Sequence, residues 1–180
     1  MLRLFVGLEL SETVKSEIGL ISSGLPNARW VRRENLHLTL HFIGDVDEGV
    51  AEDIDAALAE IVSPPFDLKL DGIGCFETRN KVRAVWAGVA PEPELSQLYS
   101  KVEQALIHAG LEPTRRKFKP HVTLVRLKNV RAEAVVDYLE FHAGLSLPPF
   151  AADHFTLFRS HLGHAGVAYE VIARYPLQVP

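Results

Sequence analysis

The chain has 180 residues, of which 47% are hydrophobic and 23% charged, the balance of an ordinary soluble globular protein. Its formal net charge of −4 argues against a general nucleic-acid coat protein. No apolar run approaches the ~20 residues that a membrane-spanning helix needs, so no membrane partner is expected. The single cysteine, Cys75, excludes an intramolecular disulfide, and we expect a reducing cytoplasm as the compartment.

The first half of the chain predicts strands that alternate with helices. The apolar N-terminus lacks the basic region and the cleavage site of a signal peptide, and we interpret residues 2–9 as a strand. Hydrophobic periodicity and capping residues then predict, in order, a helix over 11–23 with Ser11 as its N-cap, a strand over 36–43, a helix over 47–62, and strands near 66–74 and 81–89.

The second half repeats this order of elements. Its periodicity predicts a helix over 93–109, a strand over 120–127, a helix over 131–142, and strands near 149–158 and 167–175. After the first strand, both halves therefore consist of helix, strand, helix, strand and strand.

Two short motifs support a true duplication. Residues 37–40, His-Leu-Thr-Leu, recur 84 positions later as residues 121–124, His-Val-Thr-Leu. Residues 64–66, Pro-Pro-Phe, recur as residues 148–150 at the same offset. Two independent markers with one offset indicate two copies of one unit.

We therefore predict an α+β fold in which residues 1–180 form a single bilobal domain. Its internal repeat covers approximately 11–90 and 91–176. The two lobes are expected to be related by a pseudo-twofold axis, each with an antiparallel sheet and helices packed on its outer face. The active-site cleft is expected between the lobes, the usual place for a site.

The repeated motifs pair an imidazole with a hydroxyl. Residues two apart in a strand share a face, so His37 projects with Thr39, and His121 with Thr123. Pseudo-symmetry would place both pairs across one pocket. A single His-x-Thr in a strand is more often structural, but its recurrence at the same position of a repeat favours a site. Strict alternation would also place His41 on this face.

Two imidazoles in one pocket suit phosphodiester cleavage without a metal. One histidine can activate water while the other protonates the leaving oxygen, because an unperturbed pKa of about 6.5 leaves both forms populated near neutrality. The threonine hydroxyls can donate hydrogen bonds to the phosphoryl oxygens.

A basic segment surrounds the second motif. Between Glu112 and Glu133 there are seven cations and no acidic residue, namely Arg115, Arg116, Lys117, Lys119, Arg126, Lys128 and Arg131. Such a segment is either a solvated face or an anion-attracting rim beside His121, and the sequence leaves both interpretations open.

These motifs resemble those of the two-histidine phosphoesterase superfamily, and specifically its RNA 2',3'-cyclic phosphodiesterase family, historically named 2'-5' RNA ligase. The resemblance covers nearly the whole chain. It rests on residues 3–6, Trp30-Val31, residues 34–44 and 118–126, and, near the end, on Leu157, Ser160, Leu162, Gly166 and Tyr169.

The resemblance implies roles for the motif residues. His37 would be the proton donor to the departing 3'-oxygen and His121 the proton acceptor that activates water. Thr39 and Thr123 would bind the phosphate, and the product would be a 2'-phosphomonoester. Arg126 matches the arginine that ends the family's second motif and is a further substrate-binding candidate, since a guanidinium suits a phosphate. Strict alternation from His121 would turn it away from the pocket unless a bulge intervenes.

The implied partner is RNA, or a nucleotide, with a 2',3'-cyclic phosphate end, and no cofactor and no metal is expected. If the 5'-hydroxyl of a second RNA replaced water, the same histidines would join strands through a 2'-5' linkage. Nothing in the sequence resembles a dimerisation helix, and we expect a monomer.

Two other hypotheses remain open. The same fold could act on linear 2'-5' oligonucleotides or on an ADP-ribose cyclic phosphate. Alternatively, the chain could be a non-catalytic RNA-binding module that retains the cleft. Turnover of a nucleoside 2',3'-cyclic monophosphate separates an enzyme from a binding module.

Overall fold

The computed structural model describes all 180 residues, which form ten strands and four helices. In chain order these are β1 (Leu2–Glu9), α1 (Glu12–Leu20), β2 (Ala28–Trp30), β3 (His37–Val46), α2 (Glu48–Ala59), β4 (Phe66–Leu68), β5 (Leu70–Thr78), β6 (Lys81–Val89), α3 (Pro93–His108), β7 (His121–Arg131), α4 (Val136–Phe141), β8 (Phe150–Ala152), β9 (His154–Gly163) and β10 (Gly166–Pro176). None of the helices is both long and apolar enough to cross a membrane.

The elements agree with the sequence predictions, with three differences. The predicted cap of α1 is confirmed, because the Ser11 hydroxyl accepts a hydrogen bond from the Val14 amide at 3.2 Å. The strand β2 was not predicted, since three residues carry almost no periodicity. The expected helix over 131–142 is a 3₁₀ turn followed by the six-residue α4, because Val135 and Val136 are β-branched and disfavour helix at its start. The strands predicted near 66–74 and 149–158 are each divided in two.

Two four-stranded antiparallel sheets form the frame of the molecule. Their strand orders are β10-β9-β1-β3 and β2-β7-β6-β5. The predicted α+β class with antiparallel sheets is confirmed. Each sheet takes strands from both halves of the chain, so the sheets do not coincide with the sequence halves. The motif strands β3 and β7 lie in different sheets.

A third, two-stranded sheet relates the two halves directly. Strands β4 and β8 pair antiparallel, with Phe66 opposite Ala152, Asp67 opposite Ala151 and Leu68 opposite Phe150. An exchange of residues 84 positions apart maps this ladder onto itself, as a local twofold axis requires. This supports the proposal that residues 1–180 form one bilobal domain with a repeat over about 11–90 and 91–176.

One large hydrophobic core joins both sheets to three helices. It contains buried side chains from α1, α2 and α3, among them Ile18, Ile54 and Leu98. The side chains of Leu38 on β3 and Val122 on β7 are buried in the same core. Because side chains alternate along a strand, the histidines that precede them face away from this core.

A β-bulge interrupts the alternation in both motif strands. Opposite β1, the partner of Gly7 is Thr39 but the partner of Val6 is His41, so Leu40 is an extra residue. Opposite β6, the partners move from Thr123 to Val125 in the same way, and Leu124 is the extra residue. A bulge of this kind reverses which side chains face the core beyond it.

The bulges turn three side chains to the face opposite to the one that strict alternation would give them. His41 does not face the cleft: it is buried with 4% exposure, and its Nε2 donates to the Tyr99 carbonyl at 3.1 Å. Phe42, which alternation would bury, is 68% exposed. The bulge in β7 likewise turns Arg126 outward, to the face that carries His121 and Thr123.

Protonation of His41 should destabilise the fold. Burial lowers the pKa of its imidazole, so the folded state resists a proton that the unfolded chain binds below about pH 6.5. The neutral ring therefore contributes fully to stability above about pH 6.5. This contribution is lost as the pH falls toward the pKa that His41 has in the folded state. We expect His41→Val, which introduces the residue found at the equivalent position 125, to reduce the pH dependence of the unfolding free energy between pH 7 and pH 5.

Denaturant titrations at several pH values measure this dependence. At pH 7 the variant should be less stable by about 1–3 kcal/mol, because the Tyr99 carbonyl loses its partner. An unchanged pH dependence would contradict the assignment of His41 as a neutral core residue.

Candidate active site

A cavity of about 840 Å³ is lined by strands of both sheets, by Tyr99 of α3 and by the segment before β7. All five site residues predicted from the sequence line this cavity, namely His37, Thr39, His121, Thr123 and Arg126. The first two come from β3 and the other three from β7. The two motifs therefore meet at one site.

The His37 ring is held at both nitrogens. Its Nδ1 donates to the Asn35 carbonyl at 2.7 Å, and its Nε2 accepts from the Thr39 hydroxyl at 2.8 Å. Asn35 is itself fixed, because its side-chain amide donates to the Val167 carbonyl of β10 at 2.9 Å. A carbonyl can only accept, so these bonds select the tautomer with the proton on Nδ1 and leave Nε2 basic.

Aromatic side chains enclose the same ring. Phe5 and Tyr169 lie with their ring centroids 4.8 and 5.1 Å from that of His37, and Phe158 lies at 5.9 Å. A Cβ added to Gly7 would lie 2.7 Å from the Leu38 carbonyl oxygen and 3.6 Å from the His37 ring. A side chain at position 7 would therefore displace the strand that carries the histidine.

His121 is held in the matching way. Its Nδ1 donates to the Lys119 carbonyl at 2.6 Å, and Lys119 stands 84 positions after Asn35. Phe76 contacts the ring edge-on at 4.9 Å between centroids, and Trp86 lies at 6.0 Å. Both imidazoles thus bond through Nδ1 to the carbonyl two residues earlier. At Nε2 they differ, because Nε2 of His37 accepts from the Thr39 hydroxyl whereas Nε2 of His121 makes no hydrogen bond within the protein.

Burial lowers the pKa of His37, and the nearby positive charges of Arg126 and His121 lower it further, while the bond to the Asn35 carbonyl raises it. In the free protein, His37 is therefore neutral at pH 7. An anion bound between the imidazoles and Arg126 would act in the opposite direction and favour the protonated ring.

The cavity attracts anions. None of its lining residues is acidic, whereas Arg116, Lys117, Lys119 and Arg126 all line it. These four belong to the basic segment between Glu112 and Glu133, for which the sequence allowed two interpretations, a solvated face or an anion-attracting rim. Part of that segment is therefore a rim of the cavity.

One pair of positions related by the 84-residue offset differs strongly within the cavity. Phe42 and Arg126 are 84 residues apart, follow the same bulge and line the same cavity. One motif therefore presents an exposed aromatic ring where the other presents a guanidinium. Two similar imidazoles thus lie in a cavity whose ends differ, which can orient an asymmetric ligand.

Sequence reasoning missed two aromatic residues of the cavity wall. Tyr99 packs between the rings of His41 and Phe118, with centroid distances of 4.2 and 4.1 Å. Phe76 covers the edge of His121 from β5. Tyr99 stands beside the buried Leu98 on α3, and nothing in the helical periodicity distinguishes it from an ordinary boundary residue.

Known proteins resemble this chain in both sequence and fold. The model of the 2'-5' RNA ligase superfamily matches residues 15–164. An RNA 2',3'-cyclic phosphodiesterase from Thermotoga maritima is 32% identical over 95% of this chain and 93% of its own length. One from Geobacillus stearothermophilus is 34% identical over 96% of this chain, which spans only 56% of that protein.

Solved structures agree with this relationship. The apo form of E. coli LigT superimposes with a TM-score of 0.81 at 28% identity, over 99% of this chain and 98% of that one. The same protein has also been solved complexed with 3'-AMP, with a TM-score of 0.79 at 26% identity and 98% of each chain covered. On this evidence the chain belongs to the 2'-5' RNA ligase superfamily.

Proposed function

We propose that the protein is an RNA 2',3'-cyclic phosphodiesterase that opens the cyclic phosphate to a 2'-phosphomonoester. One observation carries this proposal. Two histidines, each bonded through Nδ1 to the carbonyl two residues earlier, lie in one cavity that no acidic residue lines. The names of the relatives support the substrate class, and the complex of LigT with 3'-AMP supports a nucleotide ligand. The proposed ligand is an RNA or nucleotide with a cyclic phosphate end.

In the proposed reaction, His121 accepts a proton from water at Nε2 as the water oxygen bonds to phosphorus. The bond from phosphorus to the 3'-oxygen breaks, and His37 donates its proton to that oxygen. The bond to the 2'-oxygen remains, which gives the 2'-phosphomonoester. Each proton transfer is expected to contribute on the order of a hundred- to ten-thousand-fold in rate.

Three further side chains would stabilise the charge that develops on the phosphoryl oxygens. Protonation of His37 at Nε2 ends the bond in which the Thr39 hydroxyl is the donor, so that hydroxyl can then donate one hydrogen bond to the phosphoryl group. The Thr123 hydroxyl can donate another, and Arg126 can donate two from its planar guanidinium. These groups and the two histidines provide acid, base and anion stabilisation from the chain itself. We therefore propose a mechanism that is independent of metal ions.

The donor role of His37 depends on the charge of the substrate. In the free protein burial lowers the pKa of His37, so the form with a charged His37 is a minor one. The phosphate anion would raise the pKa of His37 when it binds and would thereby prepare the donor. The same two rings would also serve a 5'-hydroxyl that replaces water: His121 would accept its proton, the bond to the 3'-oxygen would break in the same way, and a 2'-5' linkage would form.

One chain supplies both histidines, so a monomer suffices for this reaction.

Both histidines should be required for turnover. We expect His37→Ala and His121→Ala each to lower kcat on a nucleoside 2',3'-cyclic monophosphate by at least about a hundredfold, because each removes one proton transfer. Phosphorus NMR of the products should show a 2'-phosphate from the unmodified protein. The matched control is His164→Ala, which removes an exposed histidine outside the cavity and should keep full activity.

Circular dichroism establishes that each variant is folded. A folded His37 or His121 variant with near-normal turnover would exclude the two-histidine mechanism. Absence of turnover in the unmodified protein, together with retained RNA binding, would favour the binding-module hypothesis.

Turnover should not depend on added or bound metal. We expect the same kcat before and after dialysis against excess EDTA, because the acid, the base and the anion-stabilising groups are all side chains. The measurement is the initial rate with and without subsequent Mg²⁺ or Zn²⁺. A loss in chelator that either ion restores would contradict the proposal.

The charge of Arg126 should contribute, after burial, to the lowered pKa of His37. We expect Arg126→Gln to raise the pKa of His37, because it removes a positive charge that disfavours the imidazolium. Arg126→Lys keeps the charge and is the matched control. NMR titration of the His37 ring protons measures both values, and equal pKa values in the unmodified protein and Arg126→Gln would contradict the proximity of the two groups.

A further inference from the structure

A second groove adjoins the cavity and shares one residue with it. This groove has a volume of about 620 Å³ and is lined by Asn27, Ala28, Arg29, Arg126, Leu127, Lys128 and Asn129. The shared residue is Arg126, which lines both spaces. The groove lies where β2 pairs with β7, and no acidic residue lines it.

Two arginines in the groove face each other directly. In the ladder between β2 and β7, Arg29 is the partner of Arg126. Like charges directly opposite on neighbouring strands destabilise a sheet. Lys128 stands two residues further along β7 and adds a third positive charge.

None of these three cations has a partner of opposite charge. Elsewhere on the surface, Arg3 pairs with Asp45 at 2.7 Å and Arg33 with Glu12 at 2.6 Å. Arg29, Arg126 and Lys128 are exposed and make no ion pair and no side-chain hydrogen bond within the protein. A concentration of unneutralised positive charge on paired strands, continuous with the cavity that holds the two histidines, is suited to an anion that enters the cavity from this side.

We propose that this groove binds the phosphodiester backbone of the RNA on the 5' side of the cyclic phosphate. The proposal rests on the function proposed above, because it assumes that the terminal phosphate lies between the two histidines. Arg126 then contacts the terminal phosphate from the cavity side. Arg29 and Lys128 contact the phosphate of the preceding nucleotide or nucleotides.

The composition of the groove indicates contact with the backbone and not with the bases. Guanidinium and ammonium groups recognise phosphate oxygens, and the two asparagines can donate to phosphate or ribose. No aromatic side chain lines the groove, so it provides no platform on which a base could stack. Recognition of this kind positions the strand without selecting its sequence.

The groove should make the enzyme prefer oligonucleotides over mononucleotides. We compare kcat/KM for a hexaribonucleotide that ends in a 2',3'-cyclic phosphate with that for the nucleoside 2',3'-cyclic monophosphate. In the double variant Arg29→Gln/Lys128→Gln, kcat/KM for the hexanucleotide should fall about tenfold at low salt, while kcat/KM for the mononucleotide should be unchanged. The salt slope of the hexanucleotide should also become shallower by about 0.7 for each phosphate that the variant no longer neutralises.

The matched control removes the same charge elsewhere. Lys69→Gln/Arg83→Gln changes two exposed cations that line neither the cavity nor the groove, and both substrates should keep their kcat/KM values. The unfolding temperature of the groove variant should equal or exceed that of the unmodified protein, because a repulsive pair has been removed. An equal loss in the control variant, or no loss in the groove variant, would overturn the proposal.

Direct binding separates this proposal from the catalytic one. Fluorescence anisotropy with a labelled hexaribonucleotide that ends in a 2'-phosphate requires no turnover. Weaker binding by the groove variant alone supports the groove even if hydrolysis fails. Hydrolysis of the mononucleotide with equal oligonucleotide binding by both variants rejects the groove and leaves the proposed function intact.

Discussion

The β-bulge that follows each His-x-Thr motif determines which side chains the cavity contains. Without it, alternation would turn His41 into the cleft, and Phe42 and Arg126 away from it. The extra residues, Leu40 and Leu124, reverse the faces beyond the threonines. The same bulge therefore buries an ionisable ring in one strand and delivers a guanidinium to the cavity in the other.

The two proposed copies of the repeat share some features and differ in others. Both histidines donate Nδ1–H to the carbonyl two residues earlier, so the two reactive nitrogens are presented in the same way. The positions after the bulges differ, with Phe42 in one copy and Arg126 in the other. In the proposed mechanism the symmetric pair supplies acid and base, and the asymmetric pair decides which end of the substrate meets which histidine.

Much of this arrangement could be predicted from the sequence. Local spacing identifies His37 with Thr39 and His121 with Thr123, and the shared offset identifies the repeat. The bulges could not be predicted, because they are defined by the register against β1 and β6, which are distant in the chain. For the same reason the facing pair of Arg29 and Arg126 is invisible in the sequence, where 97 positions separate the two residues.

Arg126 connects the electrostatics of the whole site. Its charge lowers the pKa of His37, faces that of Arg29 across the sheet and borders both the cavity and the groove. A phosphate placed beside it would weaken the repulsion from Arg29 and the effect on His37 at the same time. Substrate binding and protonation of the proposed donor would then be one coupled event, because the anion that fills the site favours the charged imidazole that its cleavage requires. The cations of the site repel one another in the free protein, and a bound anionic substrate would offset this repulsion.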